Sequence, residues 1–262
     1  HTRCDPVTGV QTCALPIWQV VRDWQPGGAF EAVGDRIVLT RDGARMAHAA
    51  RRGGAWRVVV DGEEQPPAFD EAPRPIFSAD GKRWGCVGRR GGKAVLVVDG
   101  AEVGEFEKVS GDEPVLLTDG RTVCLVARGG KWMLRVDGRE TGPYDGAWSP
   151  AVSPDGKHFA CVVRRDGQWS LLVDGAGFGP YDCVESLALE GAAGVTVSPD
   201  GQHFASLVRR GEKALVVVDG LESPEYDRFL DGAAPVWDGP ASLCTVAERD
   251  GELFRVEVRL AP

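Results

Sequence analysis

Residues 151–184 read AVSPDGKHFACVVRRDGQWSLLVDGAGFGPYDCV, and the fold turns on how this stretch is parsed. Ala151-Val152-Ser153 runs into the turn Pro154-Asp155-Gly156. Phe159 to Val163 ends at Arg164-Arg165-Asp166-Gly167, and Trp169 to Val173 ends at Asp174-Gly175. A fourth segment is expected around Tyr181-Asp182-Cys183-Val184, after a longer connection. β-Branched and aromatic runs closed by Asp-Gly are antiparallel strands joined by tight turns. Gly supplies the positive φ such turns require, and Asp hydrogen-bonds its own backbone two residues on.

The same rhythm extends in both directions. One Asp series is Asp42, Asp80, Asp119, Asp155, Asp200 and Asp238, with spacings of 38, 39, 36, 45 and 38 residues. About nineteen residues after each comes Asp61, Asp99, Asp137, Asp174 or Asp219, with Glu257 in the sixth place. Phe69, Phe106, Tyr144, Tyr181 and Tyr226 recur before an acid, and Trp56, Trp132 and Trp169 five residues before the second Asp. A period near forty with four strands per unit specifies an all-β β-propeller of about six four-stranded blades. Each sheet has two apolar faces that only neighbouring sheets can cover, so these aromatics are assigned to core packing. No segment carries a helical period.

The SPDG-K/Q-H-F-A core at 153–160 and 198–205, followed by V-V-x-V-D-G and Y-D, resembles the WD-repeat-like propeller repeats of bacteria. Such repeats occur in the TolB propeller and in the propeller domains of prolyl-oligopeptidase-type enzymes. The resemblance covers 18–262 and implies a fold; the repeat is structural in all of those proteins and implies no single function.

The first seventeen residues stand outside the array. VTGVQTCALPI at 7–17 reads as an in-frame translation of a short-read sequencing adapter, and 1–17 is expected to be an artefactual leader before a single propeller domain at 18–262. Residues 19–23 and 30–33 match the second half of a unit, while the last unit stops after Val258 without its Tyr-Asp strand. The segment 30–33 is therefore expected to complete the final blade and close a ring of six; the alternative is a seventh blade, truncated at its start.

A net charge of −9 argues against nucleic acid, whose phosphates call for a basic face. No apolar run is long enough for a membrane span. Of seven cysteines, Cys4 and Cys13 fall in the leader. Cys86, Cys124, Cys161 and Cys244 share a repeat position with His48 and Ser206, which reads as a tight core site rather than half of a disulfide. No C-x-x-C pair suggests zinc, and no glycine loop suggests a phosphate or other cofactor.

Residues present in every unit are scaffold, so function is sought where the repeat varies. Turns after strands two and four share one face. The second-to-third turns carry Arg51-Arg52, Arg89-Arg90, Arg128, Arg164-Arg165 and Arg209-Arg210, a basic rim in which Arg52, Arg90, Arg165 and Arg210 are candidate contacts. The connections between blades carry Glu71, Asp112, Glu113, Glu185, Glu190 and Asp231, expected nearer the central channel, with Trp148 as an aromatic anchor. The segment 185–195 accounts for most of the 45-residue spacing, and insertions on one face of a repeat protein mark its binding side. No G-x-S-x-G elbow occurs, and His158 and His203 share one repeat register, which disfavours a nucleophile–base pair. The expectation is a monomeric, non-catalytic scaffold binding a protein or peptide. The alternatives are an accessory propeller of a larger hydrolase and a TolB-like periplasmic protein; cytoplasm and periplasm both remain open.

Overall fold

The computed structural model describes residues 17–185, 194–230 and 234–260. Among these, regular structure is β-strand apart from one 3-10 turn at Ser110–Asp112. The strands form successive antiparallel meanders of the propeller-blade type. The first sheet comprises Ala32–Leu39, Met46–Arg52, Ala55–Val60 and Glu63–Phe69, and the second Arg74–Phe77, Trp84–Arg90, Lys93–Val98 and Ala101–Phe106. In the third, Lys108–Val109 and Val115–Leu116 share the first-strand position beside Thr122–Arg128, Lys131–Val136 and Arg139–Tyr144. The fourth comprises Gly146–Val152, Phe159–Arg165, Gln168–Val173 and Ala176–Tyr181.

The fifth sheet again splits its first strand, into Cys183–Val184 and Thr196–Val197, ahead of Phe204–Arg210, Lys213–Val218 and Leu221–Glu222. In the sixth, Arg228–Phe229 and Val236–Gly239 line one side of Ser242–Arg249, and Glu252–Arg259 lines the other. The chain divides into two compact units, with the first two sheets in one and the last four in the other.

Three expectations change. The fourth strand of the 151–184 unit is Ala176–Tyr181, directly after the Asp-Gly turn, whereas Cys183–Val184 opens the next sheet. Its Gly-rich, Pro-containing sequence reads as a loop, but a register shift between Trp169 and Leu171 lets it stay paired and brings Trp169 opposite Tyr181. Second, Ala32 and Val33 pair with Arg51 and Ala50 in the first sheet, so 30–33 does not complete the sixth. Third, Asp238 and Glu257 lie inside strands of the sixth sheet instead of in turns.

The expected half-unit near the start does form. Val21–Arg22 pairs with Gln25–Pro26, and Trp18 bridges Phe30 as Trp132 meets Tyr144 and Trp169 meets Tyr181. Asp23 and Trp24 take positive φ at its tip, Trp24 standing where other units have Gly.

The core lies between facing sheets. Ala47, Val58, Phe69, Cys86 and Val97 pack together between the first and second sheets. Leu117, Leu125, Phe159 and Cys161 do so between the third and fourth, and Ala205, Leu207, Leu243 and Val256 between the fifth and sixth. Each fully buried Val, Leu or Phe contributes about 1.5–3 kcal/mol relative to exposure, so the stacking of sheets stabilises each meander far more than its turns do.

Candidate functional site

The first five units each repeat three acids, and each acid has a structural task. In the first series, Asp155 and Asp200 each accept a bond of 2.6 Å from the hydroxyl two residues back, Ser153 or Ser198. The Ser153 hydroxyl, helped by the Lys157 amide and ammonium, holds the Asp155 carboxyl down at about 2. In the second series, Asp61, Asp99, Asp137, Asp174 and Asp219 take positive φ at the third-to-fourth turn. Each accepts the amide of the residue that opens the second strand, as in Phe204 N to Asp219 at 2.9 Å.

The third acid follows the aromatic that ends the fourth strand, or stands just beyond it. The carboxylates of Asp70, Asp145, Asp182 and Asp227 accept from the hairpin-tip amides of Gly91, Asp166, Gly211 and Asp250 at 2.6–2.7 Å. Glu31 and Glu107 do the same with the paired tip glycines Gly53-Gly54 and Gly129-Gly130. These acids clip the hairpin of the following sheet, which is why the Tyr-Asp pair recurs.

The arginine rim is tied in as well. Arg52, Arg165 and Arg210 place their guanidinium groups over Phe30, Tyr144 and Tyr181 at 4.8, 4.8 and 5.4 Å. Arg52 and Arg165 donate to the carbonyls of Ala29 and Pro143, and Arg210 pairs with Glu222. Arg90 forks onto Glu102 at 2.7 Å and also reaches Glu105. Arg249, which the sequence reading did not single out, lies over Tyr226 at 4.5 Å in the same manner. The signal for it was present: an Arg before a hairpin tip, with an aromatic one unit half back. Such stacked stems hold the tips and leave part of each guanidinium in solvent.

The acidic candidates, Glu71 apart, sit elsewhere than expected. The second to fifth sheets are joined through a single acid, as Asp182 joins Tyr181 to Cys183, too short to carry a site; of the acidic candidates among the described residues only Glu71, in the 70–73 connection, lies between sheets as expected. Asp112, Glu113 and Glu185 instead interrupt the first strand of the third and fifth sheets. Trp148 occupies the equivalent place in the fourth sheet, where the strand shifts register between Trp148 and Ala151. Glu71 precedes the shortened first strand of the second sheet and belongs to the other compact unit. Glu190 and Asp231 lie outside the described residues.

The breaks in the third, fourth and fifth sheets are contiguous. Both Ser110–Asp112 and Thr196–Val197 lie against Gly146–Val152, the strand that carries Trp148. Asp112 is exposed with φ 52°, while Glu113, Trp148 and Glu185 are half-buried. The Trp148 ring leans on Trp169, centroids 4.4 Å apart. Burial, with the Glu185 carboxylate next, raises the neighbouring Cys183 thiol. The strand that carries the supported indole thus adjoins the elements that flank these acids, chemistry that suits recognition of a cationic segment more than bond-making.

The His158–Asp174 and His203–Asp219 pairs, at 2.7 and 2.6 Å, look like half of a catalytic triad. They occupy the register in which Arg45 and Arg83 bind Asp61 and Asp99, so they belong to the repeat's turn chemistry. Among the described residues, no group of three or more His, Cys, Asp or Glu is placed to hold a metal ion. No helix among them is long and apolar enough to cross a membrane.

No family model matches the chain, and no curated protein matches it. Solved structures do. TolB from Acinetobacter baumannii is 18% identical over 80% of this chain and 60% of its own length, with a TM-score of 0.40. The β-propeller domain of the Trilobed protease from Pyrococcus furiosus is 14% identical over 94% of this chain and 93% of that one, TM-score 0.43. Virginiamycin B lyase from Staphylococcus aureus is 14% identical over 86% and 84%, TM-score 0.35. The fold rests on the sheets themselves. Function has to come from this chain's own residues.

Proposed function

We propose that this chain is a non-catalytic propeller scaffold that binds a protein or peptide, as a monomer, at the contiguous first-strand breaks of its third to fifth sheets. The observation that carries the reading is the placement of the repeat's irregularities. Asp112, Glu113 and Glu185 interrupt the first strands of the third and fifth sheets, and Trp148 lies at the register shift of the fourth-sheet strand that touches elements of both. Three carboxylates at these breaks and a half-buried indole on a chain of net charge −9 favour a partner segment bearing Lys or Arg. Trp148, braced by Trp169, is the anchor; Arg165 and Arg210 hold the adjoining hairpins in place.

Peptides selected from a random displayed library against the folded protein test this reading. Trp148→Ala should weaken the selected binders by roughly 2 kcal/mol, the scale of an interface hot spot. Replacing Asp112, Glu113 and Glu185 together by Asn and Gln should slow association and flatten its salt dependence. Trp148→Phe, which keeps a ring on Trp169, controls for loss of fold. Binders unaffected by all of these changes would overturn the assignment.

A further inference from the structure

Asp-Gly steps recur throughout the chain, and among the described residues the structure treats two of them differently from the rest; Asp231-Gly232 lies outside those residues. In the first-series turns the glycine amide is engaged: Gly43, Gly120, Gly156 and Gly201 donate to the carbonyl three residues back at 2.8–3.1 Å. In the second-series turns the carboxylate is engaged, anchored to the amide that opens the second strand. Asp80 is bound by Ser78, Asp145 by Lys131 and the Asp166 amide, and Asp238 by Arg255 at 3.6 Å.

Asp166-Gly167 and Asp250-Gly251 have neither restraint. Both steps are two-residue tips joining the second strand to the third, closed by Arg165 opposite Gln168 and Arg249 opposite Glu252. Their φ values, 51° and 81°, 53° and 78°, match those of the second-series tips, so turn geometry does not distinguish them. All four residues are exposed, and space around a Cβ on either glycine is empty to 4 Å. Among the described residues, neither carboxylate forms a hydrogen bond or ion pair, and neither glycine amide donates one.

We propose that, among the described Asp-Gly steps, Asp166 and Asp250 are the isoaspartate-forming sites of the folded protein. The glycine nitrogen attacks the side-chain carboxyl carbon; a C–N bond forms, and the amide proton and a hydroxyl leave as water. The resulting five-membered succinimide then takes back one water. Opening at the backbone carbonyl routes the chain through the former side-chain carboxyl and leaves a free α-carboxylate, which is isoaspartate. Opening at the other carbonyl restores aspartate, so no atom is gained or lost overall. Reaching the succinimide requires the Asp to rotate out of its turn, and an anchored carboxylate resists that rotation. The exposed isoaspartyl tip has the chemistry that an isoaspartyl carboxyl methyltransferase recognises.

The test is ageing of the intact folded protein at neutral pH and body temperature for several weeks. Proteolysis and electron-transfer fragmentation then place each isoaspartate, and methyl transfer from S-adenosylmethionine by an isoaspartyl methyltransferase counts them. Conversion at Asp166 and Asp250 should exceed that at Asp174 and Asp219 by roughly tenfold or more, since each of the latter carboxylates is held by a backbone amide and a histidine. In urea the four rates should converge, because the anchors are gone. With Asp231→Glu in every protein compared, Asp231 being the one Asp-Gly aspartate outside the described residues, Asp166→Glu with Asp250→Glu should abolish most methylation of the folded protein, the larger ring forming far more slowly. Equal native rates at all four sites, or full methylation of the double variant, would overturn the proposal.

Discussion

His48 shows what one position can and cannot reveal. Its place in the second strand is held by Cys86, Cys124, Cys161 and Ser206 in four other units, all with 1% exposure or less, while Cys244, in the sixth sheet, is only half-buried there, against expectation; His48 itself is 3% exposed. The sequence identified a tight core site, and burial has the expected consequence: the Cys86, Cys124 and Cys161 thiols are pushed up to about 12. For His48, burial disfavours the imidazolium and lowers its pKa, against a weaker contact with the Ala49 carbonyl. The folded state therefore holds His48 neutral while the unfolded chain protonates near pH 6.5. Protons favour the unfolded state as pH falls below that value, so stability drops from there toward the lower folded pKa. We expect His48→Cys to lose less unfolding free energy than the parent between pH 7 and 5.5, measured by urea titration. Parallel curves for the two proteins would show that His48 does not carry this proton linkage.

At the scale of an element, the second and fourth strands explain where sequence reading stopped. Second strands alternate and cluster apolar residues as strands should, and their spans were legible. Fourth strands such as Ala176–Tyr181 carry Gly and Pro because a bulge and a close aromatic approach demand small neighbours, and composition alone marks them as loop. Gly88 shows the same constraint from the other side. Its backbone is ordinary for a strand, yet an added Cβ would lie 2.1 Å from Cδ1 and 2.6 Å from Cγ of Phe69, whose ring is 3% exposed. Gly to Ala at a compatible position stabilises by about 0.4–1 kcal/mol. Here the root of a buried ring would have to move, and overpacking costs of about 1–3 kcal/mol dominate. Gly88→Ala should thus lower the urea midpoint, and adding Phe69→Leu should recover part of the loss; a higher midpoint for the single variant would refute the clash.

For the whole molecule, the repeated carboxylates make acid the condition that undoes the array. Lys131 holds Asp145 low, Lys213 does so for Asp227, and the Ser198 hydroxyl does so for Asp200. Asp155 lies lowest, at about 2. Depressed carboxyls bind protons more tightly in the unfolded chain, so their contribution is present above the unfolded values, about 3.9–4.3, and is lost as pH falls through the folded ones. Stability should fall steeply between about pH 4.5 and 2, below the window assigned to His48. Urea midpoints that stay constant through that range would mean the clips and turns contribute no proton linkage.

The sequence by itself determined the all-β repeat and the buried Cys86, Cys124 and Cys161 thiols, because turn chemistry and apolar patterning act over a few residues. It also marked 185–195 as the break in the rhythm and Trp148 as a candidate anchor. Tertiary structure alone decided what those residues do. The partner of an acid that clips a hairpin lies twenty or more residues away, as Asp70 meets Gly91, and no local pattern announces it. Only strand pairing could show that Asp112, Glu113 and Glu185 split first strands instead of joining sheets, or that Trp148 stands between them. The reason is physical: local propensity sets which segments are strands, whereas register and sheet-on-sheet packing set which side chains meet.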